Sequence, residues 1–196
     1  MRRVCVFLGS NPGHDPAYRQ TATALGAELA ARGLGLVYGG SGVGLMGALA
    51  RSVLDHGGQV TGIIPESLKA REVAFEGLRD LRVVGSMHQR KALMAELADG
   101  FIAMPGGLGT LEEFVEVLTW AQLGMHKKPC ALLNTAGIFD GLLDLLDHLV
   151  GQGFVAQPHR DMVLVHEQPA ALLDMMRDYT PPTLDKTAMA LRLDQS

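Results

Sequence analysis

The sequence predicts an α/β protein with one parallel, doubly wound sheet flanked by helices. Seven apolar runs of strand length alternate along the chain with six longer segments of helical periodicity. Many of the 24 glycines directly follow the apolar runs, where an α/β protein needs tight turns and close approach of its backbone to a ligand. Strands that alternate with helices form a parallel sheet through right-handed crossovers, so we expect a Rossmann-like fold.

The strand-like runs are mostly bounded by Gly, Pro or Asn, and several are apolar throughout, which is typical of strands covered on both faces. They lie at residues 4–8, 34–38, 60–64, 81–84, 101–104, 130–133 and 162–165. The helical segments lie at residues 17–32, 45–56, 87–98, 111–123, 138–150 and 169–179. In such sheets, ligands bind beyond the carboxyl ends of the strands, where the strand order reverses.

The 196 residues suit a single domain. We assign residues 1–180 to this α/β domain and place its boundary at Pro181 and Pro182. Residues 181–196 have only a weak apolar pattern. We expect this tail to be either mobile or docked on a partner subunit.

Composition and charge exclude several classes of protein. A hydrophobic content of 47% with 19% charged residues argues against a disordered chain, and a net charge of −4 gives no reason to expect nucleic-acid binding. No apolar run approaches the ~20 residues of a membrane span, and the N-terminus lacks the layout of a signal peptide. Cys5 and Cys130 both lie in apolar runs, which suggests a reducing compartment. We therefore expect a cytoplasmic protein without a membrane partner.

Two glycine-rich loops follow the first two predicted strands. In the first, GSNPG at 9–13, Ser10 either caps the next helix or contacts a ligand, since both roles select the same residue types. The second contains G-x-G-x-x-G at Gly42, Gly44 and Gly47, with Glu66 beyond the next strand. We do not expect a nicotinamide dinucleotide there, because that fingerprint normally begins directly after the first strand.

A third loop, PGGLGTLEE at 105–113, predicts a phosphate site. Glycines let backbone N–H groups converge on an anion, and the start of the following helix adds free amides and a positive dipole. Thr110 can offer its hydroxyl to the same phosphate. The structural alternative is a capping box formed by Thr110 and Glu113, but it leaves the preceding proline and glycines unexplained.

Arg90 shares the apolar face of its predicted helix with Met87 and Met94. A cation in this position either pairs with a carboxylate or phosphate or extends to the surface, and the pattern leaves both open. We expect the neighbouring Lys91 to be solvated. None of the seven histidines has the spacing of a metal ligand, so no metal site is predicted. The sequence also lacks the motifs of α/β-hydrolases and P-loop nucleotide hydrolases.

These motifs resemble the Lonely Guy family of cytokinin-activating phosphoribohydrolases, long labelled lysine decarboxylases. The most specific part is PGGxGTxxE together with MHxRK, in that order along the chain. The matching segments cover most of the chain up to about residue 180 and comprise VFLGSNPG at 6–13, VYGGSGVGLMGALA at 37–50, Arg71-Glu72, MHQRKALM at 87–94, PGGLGTLEE at 105–113 and WAQLGMHKKP at 120–129.

The resemblance implies a Rossmann-like, nucleotide-binding catalytic domain that hydrolyses the N-glycosidic bond of an N6-substituted adenosine 5′-monophosphate. The products are the free base and ribose 5-phosphate, and no cofactor is required. Glu113 matches the family's catalytic glutamate and Arg90 its catalytic arginine. The positions that match nucleotide contacts are Glu72, Lys91, Gly107, Leu108, Gly109, Thr110, Leu111, Glu112 and Thr119. Ser10 and Gly40 are further candidates for substrate contact. Family members are typically homodimers or larger, with the site close to the subunit contact.

Four segments depart from the family pattern and leave the choice of N6 substituent open. Serine and glycine are exchanged within residues 40–42, Leu108 replaces a frequent aromatic, Ser86 replaces a frequent Asp, and residues 134–139 end more apolar than usual. Two other functions compete with the main hypothesis. One is a broader nucleosidase that accepts AMP, and the other is a non-catalytic carrier of a nucleotide or pterin cofactor. Such carriers lack the pair formed by Arg90 and Glu113.

Overall fold

A computed structural model of the chain describes residues 1–69 and 73–182. The strands are β1 (Arg3–Phe7), β2 (Gly35–Tyr38), β3 (Val60–Pro65), β4 (Asp80–Val84), β5 (Gly100–Ala103), β6 (Cys130–Leu133) and β7 (Val163–His166). The helices are α1 (Pro16–Ala31), α2 (Gly44–Asp55), α3 (Met87–Leu97), α4 (Leu108–Gln122), α5 (Asp140–Gly151), α6 (Gln157–Arg160) and α7 (Pro169–Asp178). The seven predicted strands and six predicted helices are confirmed, whereas the single-turn helix α6 was not predicted.

The seven strands form one sheet in the order β4-β3-β2-β1-β5-β6-β7, and all pairings are parallel. The order runs outward in both directions from the centre, so it reverses between β1 and β5. This confirms the doubly wound α/β fold. It also places the loops after β1 and β5 on either side of the crevice where such sheets bind ligands.

Helices cover both faces of the sheet, and β1 shows how the core is divided. Val4 and Val6 pack into one apolar cluster with α1, α2 and α7, while Cys5 and Phe7 pack into another with α3, α4 and α5. Successive side chains of a strand point to opposite faces, so a run of apolar residues supplies both clusters at once.

The remaining sequence expectations concern the chain end and membranes. Within the described residues, no helix has both the length and the apolar character needed to cross a membrane.

Helix α7 ends at Asp178, and the chain is described as far as Pro182. Most of the proposed tail, residues 183–196, lies outside the described residues, as does Glu72.

Candidate active site

The loops after β1, β2 and β5 meet above the point where the strand order reverses. The amide of Gly9 donates to the carbonyl oxygen of Pro105 at 3.1 Å, and the amide of Met46 donates to the carbonyl oxygen of Gly9 at 3.3 Å. At Gly44, where φ is +59°, a Cβ would collide with the backbone of Ser10. Packing against the first loop therefore explains why a glycine is needed at Gly44 in the second glycine-rich loop.

These loops surround a cavity of about 510 Å³, a size typical of small-ligand sites. One part of its lining is polar or charged and includes the sequence-predicted residues Ser10, Arg90, Gly107, Gly109, Thr110, Glu112 and Glu113. The apolar part includes Tyr18, Leu45, Met46, Met87 and Ile138. The cavity thus combines a glycine-rich loop, two acids and a cation with apolar surface.

Helix α4 begins at Leu108, with Gly107 as an N-cap that provides no side-chain hydrogen bond. Thr110 is therefore already inside the helix, and the capping box considered for Thr110 and Glu113 is wrong. The first amides of a helix lack partners within the helix and attract anions. Gly106 has no room for a side chain, because a Cβ there would collide with the Thr110 hydroxyl. The geometry leaves this helix start available to a phosphate.

A side-chain cap does exist at the neighbouring helix α3. The Ser86 hydroxyl accepts a hydrogen bond from the Gln89 amide at 3.2 Å, and the Gln89 side chain accepts one from the Gly85 amide at 2.8 Å. These contacts satisfy donors at the start of α3. Ser86, a departure from the family pattern, thus retains a capping role.

Arg90 is buried beneath the cavity, with only 3% of its surface exposed. Its Nη2 donates to the carbonyl oxygen of Gly39 at 3.1 Å, and its Nη1 lies 3.6 Å from the sulfur of Met87. The surface alternative for this arginine is therefore excluded. A Cβ at Gly39 would collide with Nη2, so the glycine at the end of β2 makes room for the guanidinium.

The pKa of the buried Cys5 thiol in β1 is influenced by charged residues of the cavity. Burial raises its pKa well above the ordinary value, the Glu113 carboxylate raises it further, and the Arg90 guanidinium lowers it. Arg90 and Glu113, which come from different helices, both line the cavity.

Lys91 contradicts the expectation of a solvated side chain. Its Nζ lies 2.6 Å from a carboxylate oxygen of Glu112 and 2.9 Å from one of Glu116, and only 13% of the side chain is exposed. The hydrogen bond to Glu112 is the main cause of its raised pKa. Lys91 thus links α3 to α4 and contacts Glu112, which lines the cavity.

Several other predicted site residues lie apart from the cavity lining. Gly40 packs against Ile64 and Leu81, and Leu111 packs into the core below α4. Leu108 is largely exposed, and the Thr119 hydroxyl donates to the carbonyl oxygen of Val115 at 2.7 Å. Their roles as substrate contacts stay predictions.

Sequence reasoning did not single out Tyr18, Met46 or Ile138 as lining residues. Each is apolar or aromatic, so its sequence pattern is the same whether it faces a core or a cavity. The described part of the chain contains no cluster of three or more His, Cys, Asp or Glu side chains that could hold a metal ion.

The sheet order and the cavity at the reversal point define a Rossmann-like α/β protein. Two solved structures share this fold at low sequence identity. The molybdenum cofactor binding protein from Rippkaea orientalis is 23% identical, with a TM-score of 0.67 and coverage of 90% of this chain and 96% of that chain. The molybdenum cofactor carrier protein of Chlamydomonas reinhardtii is 19% identical, with the same TM-score and coverage. At these identities the likeness concerns the fold alone.

Sequence comparison identifies the family. A family model described as "Possible lysine decarboxylase" matches residues 46–176. A probable cytokinin riboside 5′-monophosphate phosphoribohydrolase of Oryza sativa subsp. japonica is 49% identical to this chain. The alignment covers 100% of this chain and 79% of that relative. A cytokinin riboside 5′-monophosphate phosphoribohydrolase of Arabidopsis thaliana is 44% identical and covers 92% of this chain and 84% of the relative. The chain belongs to this phosphoribohydrolase family, which confirms the resemblance.

Proposed function

We propose that this protein is a phosphoribohydrolase that releases the free base and ribose 5-phosphate from N6-substituted adenosine 5′-monophosphates. One observation carries the proposal. Arg90 and Glu113, from two separate motifs, line the same cavity as the uncapped start of α4. The names of relatives at 44–49% identity support the same substrate class.

The phosphate of the substrate binds at residues 107–110. The free amides at the start of α4 and the positive end of the helix dipole attract an anion, and the Thr110 hydroxyl provides a further hydrogen bond. Thr110 is buried among these glycines rather than directed to solvent. Binding the phosphate here brings the attached ribose to the next turn of α4, where Glu113 lies.

Glu113 acts on the sugar. When the bond between ribose C1′ and the base nitrogen breaks, its electron pair leaves with the base and C1′ becomes cationic. The Glu113 carboxylate stabilises this charge and accepts a proton from the water whose oxygen bonds to C1′, and the departing base nitrogen takes up a proton, so that the elements of water are divided between the two products. A carboxylate three residues after Thr110 lies on the same side of the helix, within reach of the ribose.

Arg90 holds the substrate in the reacting geometry. Its guanidinium approaches the cavity from α3 and is fixed by the Gly39 carbonyl, so it needs little reorganisation when substrate binds. A planar guanidinium can form two parallel hydrogen bonds to a phosphate or to ribose hydroxyls. The reaction assigned to these residues uses no cofactor and no metal.

A nucleotide panel tests the proposal. The purified protein is incubated with N6-isopentenyladenosine monophosphate, AMP, GMP and CMP, and both free base and ribose 5-phosphate are quantified. We expect equal amounts of the two products, with the N6-substituted nucleotide preferred. Equal efficiency on AMP would favour the broader nucleosidase, and binding without cleavage would favour a nucleotide carrier.

The two ion pairs of Lys91 argue against decarboxylation of lysine. That reaction needs an amine that forms a Schiff base with pyridoxal phosphate, and a Schiff-base lysine normally has a lowered pKa. Lys91 is the lysine closest in sequence to the catalytic arginine, and its two carboxylate partners raise its pKa instead. Formation of cadaverine from lysine and pyridoxal phosphate would contradict this argument.

We also propose that the protein is a homodimer or a larger homo-oligomer. Val115, Leu123 and Met125, along α4 and just beyond its end, expose 45%, 53% and 69% of their surface. Exposed apolar residues that lie close together on a surface are typical of protein–protein contacts. Sedimentation of the wild type and of Leu123→Asp tests this: we expect the wild type to sediment as a dimer or larger and the variant to dissociate.

A cytoplasmic location is supported by the two cysteines. Cys5 and Cys130 are free and buried, and burial raises the pKa of Cys130 to about 12. Buried thiols without a disulfide suit a reducing compartment. Cell fractionation with a tagged chain tests the location, and recovery in a secreted fraction would contradict it.

A further inference from the structure

The turn after β6 adopts an unusual backbone conformation beside the cavity. Residues Thr135–Gly137 form a short 3₁₀ turn in which Ala136 has φ of +53° and Gly137 has φ of +69°. A residue with a side chain adopts the left-handed region only when its surroundings hold it there, and such residues concentrate at functional sites. The next residue, Ile138, lines the cavity.

Asn134 holds this turn in place. Its side-chain oxygen accepts from the Phe139 amide at 2.8 Å, and its side-chain nitrogen donates to Oδ1 of Asp140 at 2.7 Å. Its own amide donates to the carbonyl oxygen of His166 in β7 at 2.9 Å. Asn134 is buried, and its hydrogen bond with the Phe139 amide is buried as well, whereas its hydrogen bond with Asp140 is partly buried. The side-chain contacts connect Asn134, which precedes Ile138, to Phe139 and Asp140, which follow it, and so fix the position of Ile138.

Ile138 and Arg90 approach the cavity from opposite sides of the β1–β5 crevice. Arg90 contacts the end of β2, whereas Ile138 follows β6, on the other side of β5. The turn before Ile138 packs against α1, which also supplies the cavity-lining Tyr18. Ile138 exposes 45% of its surface, so its hydrocarbon is accessible from the cavity rather than filling the core.

We propose that Ile138 contacts the N6 substituent and determines substrate preference, and that Asn134 is the positioning residue that holds Ile138 there. This inference rests on the proposed function. With the phosphate at the start of α4 and the ribose at Arg90 and Glu113, the apolar part of the lining is left for the base and its substituent, and Ile138 is the most exposed large hydrophobic residue in it. A branched aliphatic side chain favours an aliphatic N6 group over the unsubstituted amine of AMP.

The test of Ile138 compares kcat/KM for N6-isopentenyladenosine monophosphate with kcat/KM for AMP in each preparation. For Ile138→Ala we expect this ratio to fall about tenfold, because a hydrophobic contact with the substituent is lost. Leu145→Ala is the matched control, since Leu145 is an exposed aliphatic residue of α5 away from the cavity lining. A ratio in Ile138→Ala equal to that of the control would overturn the proposal.

The test of Asn134 uses an exchange of partners. Asn134→Asp places two carboxylates side by side, and we expect it to lower the same ratio. In the double variant Asn134→Asp with Asp140→Asn, an amide again donates to a carboxylate, and we expect the ratio to recover. Failure of the ratio to recover would overturn the positioning role of Asn134.

The failure of this inference can be distinguished from failure of the proposed function. If the wild type cleaves no nucleotide at all, the proposed function fails. If it cleaves both nucleotides but the ratio is the same in the wild type and the variants, only this inference fails.

Discussion

Nη2 of Arg90 donates a hydrogen bond of 3.1 Å to the carbonyl oxygen of Gly39, which joins α3 to the end of β2 beneath the cavity. The contact depends on the absence of a side chain at Gly39, since a Cβ there would lie 3.2 Å from the guanidinium carbon and closer still to Nη2. The position of the Arg90 guanidinium, the proposed catalytic cation, therefore depends on a glycine distant in sequence.

Gly39→Ala should displace the Arg90 guanidinium and lower kcat/KM by about 100-fold, as expected for misplacement of a positioning group. Steady-state kinetics on the preferred nucleotide provide the measurement. Gly141→Ala is the control, because Gly141 lies in α5 with open space around its Cα hydrogen and an ordinary φ. Wild-type kinetics in Gly39→Ala would mean that Arg90 is not needed at its observed position.

Glu113→Gln should retain nucleotide binding but lose turnover by ~10²–10⁴-fold, the range usual for a general base. The amide preserves the shape of the side chain but neither accepts the proton nor stabilises a cationic sugar. Single-turnover release of base measures chemistry, and calorimetric titration with nucleotide measures binding. Near-normal turnover would reject the role of Glu113, while loss of binding would place it in substrate recognition instead.

Thr110→Val and Ser86→Ala should separate ligand binding from helix capping. Thr110 lies inside α4 and lines the cavity, so the isosteric valine should raise KM by ~10–100-fold through loss of one hydrogen bond to a charged group. Ser86 caps α3, so its alanine variant should lower the free energy of unfolding by ~1 kcal/mol. Urea denaturation and KM are measured on both variants. A clear loss of unfolding free energy in Thr110→Val with little change in KM would show that Thr110 has a structural role instead.

His126 should make stability depend on pH near neutrality. Burial lowers its pKa below the ordinary ~6.5, and its Nδ1 accepts a hydrogen bond from the Lys128 amide at 3.1 Å, which requires the neutral ring. The folded state therefore resists protonation more than the unfolded state. The contribution is complete above pH ~6.5 and is lost as pH falls from there through the folded pKa.

The comparison of wild type with His126→Gln tests this dependence. Glutamine can still donate to the Val117 carbonyl, which lies 2.9 Å from Nε2, but it does not titrate. We expect the stability advantage of the wild type over the variant, measured by urea unfolding, to shrink between pH 7.5 and pH 5. An advantage that stays constant over this range would contradict the assignment.

Local patterns predicted most of the fold because each element has its own signal. The apolar strands and periodic helices differ from the observed bounds by only a few residues. The largest difference at the site is the start of α4, which begins at Leu108 rather than at residue 111. Two glycines near this start weaken the helical signal, and the hydrogen bond of 3.2 Å from the Leu111 amide to the Gly107 carbonyl oxygen shows that the helix has already begun.

The candidate site could be located from the sequence but not assembled from it. The loops after β1 and β5 were predictable, because glycines after a strand have few other uses and parallel topology brings strand ends together. The depth of Arg90, the carboxylate partners of Lys91 and the presence of Ile138 at the cavity were not. Each depends on contacts between residues from separate elements of the chain.

The sequence by itself determined the order of strands and helices along the chain, because each element has its own local periodicity. Its motifs also predicted a phosphate site at residues 105–110, and the family resemblance predicted Glu113 and Arg90 as the acid and the cation. The tertiary structure decided which side chains face one another: Arg90 with Gly39, Lys91 with Glu112, and Ile138 with the cavity. Such pairings depend on crossovers that join distant segments, and no local periodicity encodes the distance between them.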